Sequence, residues 1–170
     1  MTAAIITLRL ARTTDARAIA FMSRDLIEAG LGWSYRPERI VRLIQDRDTT
    51  TLIADRHGNP VGFAVMGFGE DRAHLGLLAV HPAQQRQGVA RRMMEWLVES
   101  AAVAGIASLH LELRASNEAA RAFYRKMNFA ETQRVSGYYR GREAAIRMER
   151  VLRFHDPAPI TWLPPNRGAR

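Results

Sequence analysis

Between Val80 and Arg91 the chain reads Val-His-Pro-Ala-Gln-Gln-Arg-Gln-Gly-Val-Ala-Arg, a strand end followed by a turn that opens directly into a helical pattern. The chemistry on offer there is backbone chemistry. A helix N-terminus presents unpaired N–H groups and the positive end of its dipole, so it suits a phosphate or pyrophosphate. Gly88 and Ala90 leave room for the anion, while Gln85, Arg86 and Arg91 can add side-chain contacts. The competing reading is an ordinary tight strand-to-helix connection, and the short pattern Gln-x-x-Gly-x-Ala alone does not separate the two. Other phosphate loops fit worse: no Gly-x-x-x-x-Gly-Lys-Ser/Thr exists, and Gly67-Phe68-Gly69 has Arg72 where a dinucleotide fingerprint needs its third glycine. Cysteine is absent and the five histidines are scattered, so no metal site is expected.

The elements that must hold this turn are readable from periodicity. Ile5–Leu10 alternates as a strand, and Thr13-Thr14-Asp15 caps a helix through Ile19, Met22, Leu26 and Ile27. A loop, 30–35, precedes a second helix that starts at Pro37 and buries Ile40, Val41 and Ile44. Thr50–Arg56 and Val61–Phe68 flank a hairpin turn at 57–60, and Leu75–Val80 is a further strand. Gly88–Ala104 is helical. Ser108–Arg114 alternates strictly, with Leu109, Leu111 and Leu113 on one face and His110, Glu112 and Arg114 on the other. A helix over about 118–127 and two closing strands, near 133–139 and 143–152, complete an α/β chain of order β-α-α-β-β-β-α-β-α-β-β. That order implies a mixed sheet with helices on its faces.

The segment Leu111-Glu112-Leu113-Arg114-Ala115-Ser116-Asn117, continued through Tyr124 to Phe129, resembles the GNAT acetyltransferase superfamily. Within it, the chain is most similar to the bacterial ribosomal-protein alanine N-acetyltransferases, which modify protein N-termini. The resemblance is strong from about Leu75 to Met148 and general before that. It implies a mostly antiparallel sheet of about seven strands splayed between strands 4 and 5. It also implies that the turn made by Gln85, Arg86, Gln87, Gly88, Val89 and Ala90, with Arg91, binds the pyrophosphate of acetyl-CoA. By the same resemblance Asn117 is expected to touch the co-substrate, with Tyr124 as the general acid and Glu112 as the general base. Asn128 stands where the family usually has glycine, and asparagine tolerates the left-handed backbone well enough for the turn to survive. Ala90 replaces a commoner glycine, and Tyr138-Tyr139-Arg140 replaces the family's Tyr-Tyr-Pro.

Transfer of an acetyl group to an amine needs a neutral amine, a polarised carbonyl, a proton acceptor and a proton for the departing thiolate. An α-amino group, with a pKa of about 8, is partly neutral at physiological pH. Glu112 can take its proton through a water, or can simply form a salt bridge to Arg114 or a neighbouring strand. Tyr124 lies two helical turns after Asn117 and can protonate the sulfur, or can be a half-buried tyrosine with a backbone partner. Backbone N–H at Leu78 or Val80 can stabilise the oxyanion. His110 shares the face of Glu112 and is either a relay or a satisfied histidine. Trp33 and Tyr35 in the loop, and Tyr138 and Tyr139 in the last hairpin, either line the acceptor groove or pack.

The formal charge is +8, and it is uneven: residues 1–113 carry a net +1 and residues 114–170 a net +7. A polyanionic partner is the first inference from such a balance, but no helix-turn-helix, aromatic RNA-binding motif or zinc spacing supports nucleic acid. The expectation is an acetyltransferase domain over 1–153 and a proline-rich extension over 154–170, in which Ile160 and Trp162 can dock on the domain or on a second copy. The acceptor is a protein or peptide N-terminus, or a small-molecule amine; a CoA-binding or nucleic-acid-binding module without catalysis is the reading from a different class. No membrane segment and no basic leader are seen, so a cytoplasmic monomer or homodimer is expected.

Overall fold

Two apolar faces of one sheet account for most of the buried residues. In the computed structural model, which describes residues 5–153, the strands are β1 (Ile6–Leu10), β2 (Thr49–Arg56), β3 (Asn59–Phe68), β4 (Arg72–Val80), β5 (Ser108–Arg114), β6 (Ala130–Tyr139) and β7 (Glu143–Val151). The helices are α1 (Ala16–Leu26), α2 (Pro37–Gln45), α3 (Val89–Val103) and α4 (Glu118–Lys126). The extension 154–170 lies outside the described residues. Sheet order is β1-β2-β3-β4-β5-β7-β6, antiparallel except for β4 with β5. Alternation sends Ile53, Phe63 and Val65 to the side of α1 and α2, and Leu52, Ala64 and Met66 to the side of α3 and α4. The expected mostly antiparallel seven-stranded sheet with helices on both faces is therefore what forms. The first hairpin is tighter than the four-residue turn read from sequence: Arg56 pairs with Asn59, and His57 and Gly58 both take positive φ, the two-residue turn that matches strand twist.

The feature that shapes the site is a single extra residue in β4. Met66 pairs with Leu75 and Val65 with Leu77, which leaves Gly76 unpaired as a β-bulge. The bulge inverts the strand: Ala73 and Leu75 face the α3/α4 core, whereas Leu77 and Ala79 face the α1/α2 core. Parallel pairing with β5 stops at the same point, running only from Arg72↔Ser108 to Leu75↔Leu111. Past it the two strands part. His81 N donates to Val61 O at 2.7 Å, so by strand alternation the N–H groups of Ala79 and Leu77 also point to β3. Those of Leu78 and Val80 point into the gap.

The end of α4 is built with equal economy. Phe129 N donates to Tyr124 O (2.9 Å) and Asn128 N to Arg125 O (3.0 Å), with Asn128 at φ 64°. This is a Schellman closure, whose customary apolar contact is here the Phe129 ring edge-on to Tyr124, centroids 5.6 Å apart. Asparagine does hold the left-handed position. A β-branched residue would not: Asn128→Ile is expected to cost about 1–2 kcal/mol, and Asn128→Gly to be neutral or stabilising. Urea denaturation checks both, and an unchanged midpoint for the isoleucine variant would contradict the account.

Candidate active site

Where β4 and β5 part, two cavities meet. One, of about 320 Å³, is lined by Gly76, Leu78, Glu112, Arg114 and Tyr139 among others. The second, of about 440 Å³, is lined by Val80, Gln85, Arg86, Gly88, Val89, Ala90, Arg91 and Phe123. Leu26, Leu78, Asn117, Ala120 and Tyr124 border both. The bulged strand thus opens a path through the sheet, with Tyr124 at its waist.

The turn into α3 is fixed by Gln85, whose Nε2 donates to Val80 O at 2.9 Å on the gap side of the strand. Gly88 sits at φ 77°, yet a Cβ there would meet nothing within 4 Å. Glycine there suits the left-handed backbone, and the space beside it is open. Arg86 is also held at positive φ, 62°, an unusual state for a side chain of its size. The first i to i−4 bond of α3 is Arg92 N to Gly88 O, so the amides of Val89, Ala90 and Arg91 precede the helical ladder. No acidic residue occupies that first turn, and arginines stand there instead. Such a charge opposes the helix dipole and favours an anion. Arg91 pairs with Glu95 at 2.8 Å. Gln87 donates to Ala83 O and, unlike its neighbours, lines neither cavity.

Asn117 caps α4, its Oδ1 accepting Ala120 N at 3.1 Å. Tyr124 is 8% exposed and clamped between Phe123 and Phe129. Burial alone pushes its hydroxyl well above the usual phenol range, with no hydrogen-bonded group contributing. Among the described residues, the backbone partner considered for it from sequence is not there. Glu112 does pair with the neighbouring strands, though not with Arg114: His74 Nε2 is hydrogen-bonded to Oε2 at 2.5 Å and Arg147 Nε lies 3.4 Å from Oε1. Arg147 is directly opposite Glu112 on β7, and its Nε has no hydrogen-bond partner. His110 is satisfied elsewhere, by Ser108 Oγ at 2.8 Å with Glu149 nearby.

Of the four aromatic candidates for the acceptor side, Tyr139 lines the Glu112 cavity. Burial, assisted by Tyr138 and Glu112, pushes its hydroxyl up to about 12. Tyr138 is outside the cavity, edge-on to Tyr139. Trp33 and Tyr35 pack on the α1/α2 side and line neither cavity; Trp33 Nε1 donates to Ala20 O and Tyr35 O. Their loop reaches the cavity through Ala29 and Leu31. It is pinned from below by buried Glu28, which accepts from Ser23 Oγ and from the Ser34 and Tyr35 amides. Arg114 pins it from the sheet by donating to Ile27 O and Ala29 O. His74, Arg147 and Glu28 carry no motif; the polar alternation of β4 before Gly76 was the one available hint for His74. Among the described residues no group of three or more acidic or histidine side chains could hold a metal.

The raised phenols give a stability test. An unfolded chain releases tyrosine protons near pH 10, whereas buried Tyr124 retains its own. The stabilisation it brings is therefore present below pH 10 and lost as pH rises beyond it. Tyr124→Phe should flatten the alkaline decline of unfolding free energy by up to about 1.4 kcal/mol per pH unit. An equally steep decline in the variant, in melts between pH 8 and 11, would contradict the assignment.

Comparison with known proteins agrees with this geometry. The Acetyltransferase (GNAT) family model matches residues 14–129. The bS18-alanine N-acetyltransferase of Escherichia coli K12 is 41% identical over 96 residues, 55% of this chain and 65% of that protein. The matched chain thus spans just under two thirds of that relative's length. The crystal structure of the ribosomal-protein-S18-alanine N-acetyltransferase from Escherichia coli superposes with a TM-score of 0.78 at 31% identity, covering 88% of this chain and 96% of the other. A Salmonella typhimurium acetyltransferase structure that contains acetyl-CoA shares the fold, with a TM-score of 0.77 at 20% identity over 89% and 96% of the two chains. The splayed sheet, the glycine-led turn into α3 and the family match over 14–129 together establish that the chain belongs to the GNAT acetyltransferase family.

Proposed function

We propose that this chain, through a catalytic unit over 1–153, moves an acetyl group from acetyl-CoA directly to a primary amine, and that the amine is a protein N-terminal α-amine. The observation that carries the reading is the position of Tyr124, whose side chain borders both an anion-suited turn and a cavity holding a carboxylate. The pyrophosphate binds the amides at the start of α3 with Arg86, and Asn117 keeps its Nδ2 available as a donor while Oδ1 caps α4. Leu78 and Val80 turn their N–H groups into the gap, where they hold the thioester arm and polarise its carbonyl.

The amine nitrogen attacks the carbonyl carbon, a C–N bond forms and the C–S bond breaks. The amine proton passes to Glu112. Half-exposed His74, hydrogen-bonded to the carboxylate at 2.5 Å, links it to solvent. Tyr124 donates its proton to the departing sulfur, so CoA leaves as the thiol, and the tyrosine takes a proton back from solvent. Burial disfavours tyrosinate, so the hydroxyl stays protonated as a donor throughout the working pH range. Being a poor acid for the same reason, it acts first as a hydrogen-bond donor to developing thiolate.

Calorimetry should give saturable acetyl-CoA binding; no binding at tens of micromolar would remove the proposal. Tyr124→Phe is expected to lower kcat by about 10²–10³-fold with little change in acetyl-CoA affinity, the range for a lost transition-state donor. Equal losses in both would reduce Tyr124 to a binding role. Glu112→Gln should lose most rate below pH 8, where more of the amine is protonated, and an unshifted pH profile would remove Glu112 as base. Intact-mass analysis of lysate proteins after labelled acetyl-CoA separates N-terminal from small-molecule acceptors.

A further inference from the structure

A third recess, of about 280 Å³, opens beside the Glu112 cavity and shares Leu31, Arg114 and Tyr139 with it. A peptide whose first residue occupies the Glu112 cavity has this recess as a continuous exit. Its remaining walls include Arg140, Arg142 and Glu143. The charges there are not equivalent. Arg114 is committed to the Ile27 and Ala29 carbonyls and lies 3.7 Å from Glu143, which in turn accepts from Ser116 Oγ. Arg140 and Arg142 are exposed, and among the described residues neither has a carboxylate within ion-pair distance. The recess therefore keeps a net positive charge of two arginines after its own glutamate is spent.

The local backbone holds those arginines in place. Tyr139 pairs with Glu143, so residues 140–142 form the tip of the β6–β7 hairpin, with Arg140 at φ 52° and Gly141 at φ 70°. Glycine, asparagine or aspartate would sit more easily at the first of these positions, yet an arginine is there. Its guanidinium lies over Gly32 of the acceptor-side loop so closely that any Cβ at Gly32 would collide with it. A loop glycine and a hairpin arginine thus close one side of the recess together.

The geometry points to acceptor selection by charge: Arg140 and Arg142 recognise a peptide with a carboxylate side chain at its second or third residue and disfavour lysine or arginine there. The inference rests on the reading that the Glu112 cavity takes the acceptor amine. Two partly solvated arginines give a screened, moderate preference.

The test uses the full chain, acetyl-CoA and three synthetic alanine-initiated peptides that are acidic, neutral or basic at residues two and three and otherwise identical. The acidic peptide is expected to exceed the basic one about tenfold in kcat/KM at low salt, with the ratio shrinking at 0.5 M salt. Arg140→Gln with Arg142→Gln should bring the ratio near one, and Arg142→Glu should move it toward the basic peptide. A wild-type ratio near one, or a ratio unmoved in both variants, overturns the inference while the acceptor reading stands. Acetylation of none of the three peptides, the neutral one included, overturns both.

Discussion

The break in pairing between β4 and β5 is the constraint from which the site follows. A strand inside a sheet normally spends its N–H and C=O groups on both neighbours, and buried backbone groups left without partners are costly. Here β4 stays paired with β3 on both sides of the unpaired Gly76 but loses β5 after Leu75, where the extra residue turns the strand out of step. The chain recovers part of the loss within itself: Gln85 satisfies the Val80 carbonyl. The N–H groups of Leu78 and Val80 remain directed at the gap. An extended ligand with amide groups of its own can supply the missing strand contacts, and a preformed gap spares it the cost of prising a sheet apart. The bulge thus leaves backbone donors on the open side of β4 that an extended ligand can satisfy.

Everything that borders the gap is held by interactions of a different kind, which is why it can stay open. Tyr124 is aimed by the closing turn of α4 and by two phenylalanine rings, so its orientation depends on Asn128 accepting a left-handed backbone. Glu112 is set by charge: His74 on β4 and Arg147 on β7 approach it from the strands on either side of β5. The β5–β7 pairing is unbroken from Ser108 to Arg114, so Arg147 belongs to the rigid half of the sheet, while His74 lies two residues before the bulge. The pair therefore bridges the two halves at the last point where they still touch. The loop over the cavity is pinned at both ends by charged groups, Glu28 beneath it and Arg114 from β5.

Much of this frame was legible in the residues. The period-two pattern of Ser108–Arg114 gave both the limits of β5 and the facing of Glu112, and Pro37 marked the first turn of α2. The turn into α3 was legible as a strand-to-helix connection with an open helix N-terminus, and the left-handed backbone of Gly88 adds a reason for that glycine. The splay came with the family resemblance, since nothing in the hydrophobic pattern of β4 reports it. A bulge is defined by the partner strand, and a run such as Leu75-Gly76-Leu77-Leu78 reads the same with or without one. The ion pairs on Glu112 were hidden for a related reason. They join residues 38 and 35 positions away through strands adjacent only in space, with β7 inserted between β5 and β6. Trp33 and Tyr35 show the opposite limit: an aromatic residue in a loop looks the same whether it lines a groove or packs, until the carbonyls that satisfy the Trp33 indole are located.

The charge of the last third takes on a different meaning once its partners are known. Arg121 and Arg125 share Glu131, Arg147 lies against Glu112, and Arg150 donates to the Met127 carbonyl at the end of α4. These arginines fasten α4 and the last two strands to one another. A planar guanidinium with several donors suits that task better than lysine would, because one side chain can serve a carboxylate and a carbonyl at once. A bulk charge of +7 is therefore a poor guide to partners, since a large part of it is consumed in holding the fold. What faces outward beside the Glu112 cavity is Arg140 and Arg142, carried on a hairpin tip and, among the described residues, without an ion-pair partner. Selectivity for an acceptor then asks little of the fold: neither side chain belongs to the contacts that fasten α4 and the last two strands, although Arg140 rests against Gly32 of the loop, and changing their sign alters the charge of the recess without touching Tyr124 or the gap.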